Sequence, residues 1–360
     1  MDKRFLVEYL ETDSPSTYEI EAQNVMIKEI GHLADEIITD NYGNVAFKIK
    51  GTSDKPYKVV IDAHCDEIGW VVKRINDDGL LFVSKNGGTD NIITPGQEVK
   101  VFTNKMENGK HFKVKGFFGW IPIHLKDFDK TEKIKIDDLY VDVGASSKED
   151  VEKMGIEIGN FVVMNREPKF MNDDVLVSKS LDDKIGGFIF SEVIKNLIEN
   201  GIKLPYDLYI VNSVQEEVGL YGSKMITETI KPDVAICFDV SFDTSSPGID
   251  KNKHGDFKLG EGIIFRKGKD VNHKLFELMK KVSKENEIPF KVCVGGAGGT
   301  NTFGYYISNG GVVTSTVSIP LRYMHNPNEM INLSDVEKAI NFFDKLLLNI
   351  ENNHDFKLLT

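Results

Sequence analysis

Val214-Gln215-Glu216-Glu217-Val218-Gly219 closes the apolar run that begins at Tyr206, so two adjacent carboxylates stand where a buried strand ends. Leu208, Tyr209, Ile210 and Val211 mark that strand as buried. Unpaired charge is not tolerated there, and acids at its end are solvated, salt-bridged or holding a metal. Other strand-like runs end in the same residue types. Lys58 to Ala63 ends at His64 and Asp66, Asp233 to Phe238 ends at Asp239, and Val312 to Ile319 leads to His325, while Asp182-Asp183 opens a helix. In an open α/β sheet the crevice outside the carboxyl ends of the strands collects such residues. Two histidines with several carboxylates suit zinc or a similar divalent ion.

The rest of the chain gives these residues a frame. Its 360 residues allow a large core and a second domain, and 41% hydrophobic with 28% charged residues is the balance of a soluble globular protein. A formal charge of -12 with no basic stripe argues against a nucleic-acid partner. The start, Met1 to Leu10, has too short an apolar run for a signal peptide, and no later run is long enough to span a bilayer, so a cytoplasmic protein is expected. Three cysteines without a Cys-x-x-Cys pair fit a reducing compartment, and Cys65 reads as a small buried residue.

Along the chain, Arg4 to Glu11 and a second run with Ile20, Val25, Ile27 and Ile30 read as helices, and Glu36 to Thr39 and Asn44 to Ile49 as strands. After Gly69 the texture changes to short strands and glycine turns, through Trp70 to Ile75, Leu80 to Ser84, Gln97 to Thr103 and His111 to Phe118. This continues to about Arg166 and predicts an inserted all-β module, with Ser146 or Ser147 capping a helix near its tail. From Ser178 the α/β alternation resumes. Ile185, Phe188, Ile189, Val193, Leu197 and Ile198 form a helical stripe, and a closing helix is expected after a Ser334 cap. Neither internal repeats nor low-complexity segments are visible.

Five motifs in register carry a resemblance: Ala63-His64-Cys65-Asp66-Glu67-Ile68-Gly69, Ser180-Leu181-Asp182-Asp183-Lys184-Ile185-Gly186, Gln215-Glu216-Glu217-Val218-Gly219, Phe238-Asp239-Val240, and Ile319-Pro320-Leu321-Arg322-Tyr323-Met324-His325-Asn326. In this order they resemble the tetrahedral aminopeptidases, the family of glutamyl and deblocking aminopeptidases whose members are sometimes labelled endoglucanases. The resemblance implies an α/β fold, a mixed-sheet metallo-exopeptidase core flanked by helices. Residues 1–69 and 167–360 would form this core, and residues 70–166 an inserted β-barrel-like domain of the dimerisation type. It also implies two divalent ions per chain, zinc with cobalt or manganese as alternatives. His64 and Asp239 would hold one, Glu217 and His325 the other, and Asp182 would bridge them. Glu216 would be the general base, with Asp66 on the distal nitrogen of His64. A cis peptide bond is implied between Asp182 and Asp183. The substrates would be peptides with a free N-terminus, and the assembly a homo-oligomer, a dodecamer built from dimers.

The chemistry of the residues agrees. Two ions about 3.5 to 4 Å apart can polarise a scissile carbonyl and anchor a free amine. Adjacent strand residues point opposite ways, so Glu216 and Glu217 can take different roles only if the chain turns there, and Gly219 offers such a turn. The loop Gly295-Gly296-Ala297-Gly298-Gly299-Thr300 lacks the Gly-Lys-Ser/Thr ending of a phosphate loop. In the family a similar loop lines the pocket for the first side chain, which places Gly296, Gly298 and Gly299 at the substrate. His124 in the insert matches a family pattern but reads as structural. Three positions depart from the pattern: Asn301 replaces an Asp, Lys184 an Arg, and Thr17 the Gly of an early Ser-Gly-Tyr-Glu. None is a ligand, though Asn301 bears on substrate preference.

Competing functions ask for other residues. A glycoside hydrolase needs two carboxyls about 5 to 9.5 Å apart and has no use for His64 or His325. A non-catalytic metal-stabilised binding protein does not need Glu216. A dinuclear deacylase or carboxypeptidase would share the ligands, and a substrate panel separates it.

Overall fold

The computed structural model describes residues 1–107, 109–125, 134–295, 299–352 and 354–359. Its central feature is an eight-stranded mixed sheet in the order Glu36–Thr39, Val45–Ile49, Asp207–Ser213, Lys58–His64, Val234–Phe238, Val313–Ser318, Ile263–Lys267, Phe290–Val294. The four strands from Asp207–Ser213 to Val313–Ser318 run parallel, and Val45–Ile49 and Ile263–Lys267 flank them antiparallel. Parallel strands are covered on both faces, which is why Val59, Val60, Ile61 and Ala63 are all inaccessible. Val59, Ile61 and Ala63 pack in the core that also holds Phe5, Phe188 and Phe343. Val60 faces the opposite cluster with Ile226, Ile230 and Tyr305, as the two-residue period of a strand requires.

The helix Leu181–Glu199 lies under this sheet, buried along most of its length, although Ile198 of the expected stripe is exposed. Its first turn is irregular: Asp182 and Asp183 have non-helical backbone angles and are joined by a cis peptide bond, as the resemblance implied. The closing helix, Leu333–Asn349, is capped by Asn332 and not by Ser334. The Asn332 side chain accepts the Ser334 N–H at 2.8 Å, which moves the start two residues earlier than the serine suggested. A small sheet pairs Val175–Ser178 with Glu329–Asn332, setting Glu329 opposite Ser178.

Six strands, Gly69–Ile75, Leu81–Asn86, Tyr140–Asp142, Lys110–Phe118, Glu98–Glu107 and Phe161–Met164, close into a barrel in that order. Trp70, Val72, Leu81, Val83, Val99, Val101, Val141 and Val162 fill it as a core separate from that of the sheet. The α-helix Lys148–Met154 lies between Tyr140–Asp142 and Phe161–Met164, and Ser147 caps it by accepting the Asp150 N–H.

Candidate metal centre

The parallel strands deliver the side chains to one edge. His64 is the last residue of its strand, Asp239 follows Val234–Phe238, and Glu216 and Glu217 come three and four residues after Ser213. The turn that separates the two glutamates begins earlier than Gly219. Gln215 takes φ 56°, held by its N–H on Glu19 Oε1 at 3.2 Å. Asp66 then receives both glutamate amides, Glu216 on Oδ1 at 3.0 Å and Glu217 on Oδ2 at 3.2 Å. The same carboxylate takes the Ser16 hydroxyl at 2.6 Å and stands 3.3 Å from His64 Nδ1, so one buried acid orients the imidazole and the glutamate pair together.

Asp182 sits between the two histidines. Its Oδ1 is 3.1 Å from His64 Nε2 and its Oδ2 is 3.4 Å from His325 Nε2, while His325 Nε2 is also 3.2 Å from Glu217 Oε1. Among the described residues, ligand atoms close enough to share an ion occur in three overlapping groups: Asp182, Glu217 and His325; His64, Asp183 and Asp239; and His64, Glu216 and Glu217. The first group matches the residues expected around one ion. Around His64 and Asp239 the structure adds Asp183, which the motif reading left without a role.

The charges support a cationic occupant. Burial alone would raise the Asp182 carboxyl, but His325 and His64 outweigh it and hold it below the usual range. Burial first, then the charge of Asp239, pushes Asp183 well up, and burial with Asp182 does the same to Asp239. Burial also raises Glu216, with Asp239 and Glu217 adding to it against His64. Both oxygens of Asp183 are buried without a hydrogen-bond partner. The five carboxylates of these groups crowd two imidazoles, and such a set holds together when multivalent cations or protons neutralise it. Divalent ions fit this donor set.

Three supporting residues were not assigned from the sequence. Glu329 accepts the Asp182 N–H at 3.1 Å and the His325 N–H at 2.8 Å, fixing the backbone of two candidate ligands at once. Only the pairing of its strand with Ser178 brings it here, and no sequence spacing signals that. Ser16 and Glu19 lie in the early stretch noted above for its departure at Thr17, and that motif was the available signal. Asn301 is buried and donates to Ser213 Oγ at 2.7 Å, whereas its neighbour Thr300 lines the cleft beside the cluster. Lys184 is likewise buried, with its ammonium on the Thr12 carbonyl at 2.7 Å.

A cleft of about 730 Å³ opens from the cluster, with Leu220, Ile264, Phe303 and Met324 among its apolar walls. Gly299 lines it, whereas Gly296 and Gly298 lie outside the described residues.

A mixed α/β sheet with imidazoles and carboxylates at its strand ends, beside an open cleft, is an arrangement that metal-activated hydrolases use. The comparisons narrow it. Residues 43–342 match the model of the M42 glutamyl aminopeptidase family. The lysyl aminopeptidase of Pyrococcus furiosus is 34% identical, covering 96% of this chain and 97% of its own. The TET aminopeptidase of a marine-sediment thaumarchaeon superposes with a TM-score of 0.91 at 28% identity, covering 97% of this chain and 96% of its own. A Pyrococcus horikoshii peptidase that can assemble into a tetrahedron or a large octahedral shell gives 0.82 at 27%, covering 96% and 98%. The chain belongs to the M42 glutamyl aminopeptidase family and is a hydrolase acting on peptides. No helix among the described residues is long and apolar enough to cross a membrane.

Proposed function

We propose that this aminopeptidase removes the N-terminal residue of peptides with two divalent ions, one on His64 and Asp239, the other on Glu217 and His325, with Asp182 shared. The observation that carries the reading is Asp182, whose two oxygens face two different imidazoles at 3.1 and 3.4 Å. Zinc suits these donors, and cobalt or manganese can use the same set. When bound, the ions would polarise the scissile carbonyl and acidify the attacking water. The residues do the rest. Glu216 takes the water's proton and passes it to the leaving amine, and Asp66 keeps His64 in the tautomer that presents Nε2. A metal-saturated preparation should contain about two ions per chain and cleave aminoacyl chromogenic substrates, with activity lost to chelators. Elemental analysis giving one ion or none, or undiminished turnover in chelator, would refute this.

Beyond the ligand cluster, the charged side chains lining the described cleft are Lys224 and Arg266. Arg266 lies 3.4 Å from Asp270 by one nitrogen, and its buried Nε has no partner. Peptides beginning with Glu or Asp are therefore expected to exceed those beginning with Lys by roughly ten- to a hundredfold in kcat/KM, the effect of one charge-assisted hydrogen bond of about 1.5–3 kcal/mol. A panel in which Lys-first substrates win would reject this assignment of the wall.

Residues 70–166 are proposed as an oligomerisation domain inserted into a catalytic domain of residues 1–69 and 167–360, assembling dimers into a dodecamer. Support comes from exposed apolar side chains on the barrel side, Ile92, Phe117, Ile121, Ile123 and Leu125. Light scattering at micromolar concentration should report a multimer, and a strictly monomeric mass would end this proposal. The cytoplasm is the proposed compartment, consistent with three free thiols.

A further inference from the structure

A backbone carbonyl beside the barrel reaches the candidate metal cluster. Gly88 follows the barrel strand Leu81–Asn86, and its carbonyl oxygen is 3.0 Å from His325 Nδ1. A carbonyl only accepts, so Nδ1 carries a proton, and in the neutral imidazole Nε2 is then the nitrogen available to an ion beside Asp182 and Glu217. The approach depends on glycine. A Cβ at position 88 would stand 2.8 Å from His325 Nδ1 and 3.0 Å from the adjacent ring carbon, which would force the ring to move.

A second junction holds the barrel at that distance. Asp13 is 2% exposed and is the meeting point of three lysines. Lys100 reaches it at 2.9 Å and Lys113 at 2.8 Å, both from barrel strands, and Lys179 at 2.8 Å from the segment leading into the Asp182 helix. Lys179 also lies 2.7 Å from both oxygens of Glu67, and Glu67 accepts the hydroxyl of Ser180, two residues before Asp182, at 2.8 Å. Buried charges of this kind hold a geometry when each is paired, and removing one partner leaves the others uncompensated.

We infer that the barrel is a positioning device for the metal site: the Gly88 carbonyl orients His325, and the Asp13-centred ion cluster sets the register that puts this carbonyl in place. This rests on the two-ion reading above and gives the inserted segment a role that is independent of subunit contacts. Gly88 and Asp13 are positioning residues, acting through His325 and through the docking of the barrel.

The test is stepwise binding of Zn²⁺ to metal-stripped full-length protein, read as two separate dissociation constants, with circular dichroism confirming the fold. In Gly88→Ala one ion should bind about 10- to 100-fold more weakly, the range for losing a group that orients a ligand, while the other keeps its affinity. Lys113→Met, which keeps the side chain's apolar stem but removes one barrel contact to Asp13, should weaken the same ion by a smaller factor. It carries the test alone if Gly88→Ala does not fold. Unchanged affinities, or equal loss of both ions in a folded variant, would overturn the inference. Wild-type protein that binds fewer than two ions would overturn the two-ion reading itself, and this inference with it.

Discussion

Glu216→Gln is expected to cut turnover by about 10² or more while leaving both ions bound. Glutamine keeps the length and hydrogen-bonding reach of glutamate but cannot take up a proton. The backbone of residue 216 would stay fixed, because its N–H is held by Asp66 Oδ1 at 3.0 Å, a contact the substitution leaves intact. Glu217→Gln should behave differently. Its carboxylate is 3.2 Å from His325 Nε2 and belongs to two of the candidate ion-binding groups, against one for Glu216, so that variant should lose affinity for one ion and recover part of its rate in excess metal. Metal content and kcat measured on both variants separate the roles. A Glu216→Gln protein that loses metal, or turns over normally, would show that the pair is divided the wrong way.

Asp182→Asn should be more damaging still. One neutral oxygen would remain where two charged ones now face His64 and His325, so neither ion would keep its full donor set. Losing several kcal/mol of transition-state stabilisation corresponds to a rate loss of about 10³ or more, and added zinc, cobalt or manganese should not restore it. Retention of two ions by Asp182→Asn would remove the shared ligand from the mechanism.

The residues gathered at the strand ends were legible because two independent regularities coincide on them. Buried parallel strands read as apolar runs, and a charged residue at the end of such a run is conspicuous, as at His64, Glu216, Glu217 and Asp239. The barrel segment was legible from its change of texture after Gly69, and Ser147 from its capping chemistry. What stayed hidden depends on contacts between distant parts of the chain. Glu329 supports Asp182 only because Glu329–Asn332 pairs with Val175–Ser178, and Asp183 joins the cluster through an irregular helix start that no periodicity encodes. The turn at Gln215 escaped notice because a left-handed residue there is held by Glu19 from far upstream. The contact of Asn301 was hidden in the same way: it follows a glycine-rich loop, and its side chain donates to Ser213, far from it in the sequence.

The proposed ligands are spread from position 64 to position 325, on strands whose parallel pairing requires long crossovers. During synthesis the N-terminal parts emerge first, so His64 and Asp66 are outside the ribosome long before Asp239 and His325 exist as residues. A growing chain therefore lacks the full donor set of the proposed second ion until His325 has been added. On the proposed two-ion site, a chain still being translated would therefore be latent, unable to cleave neighbouring nascent peptides at their free N-termini.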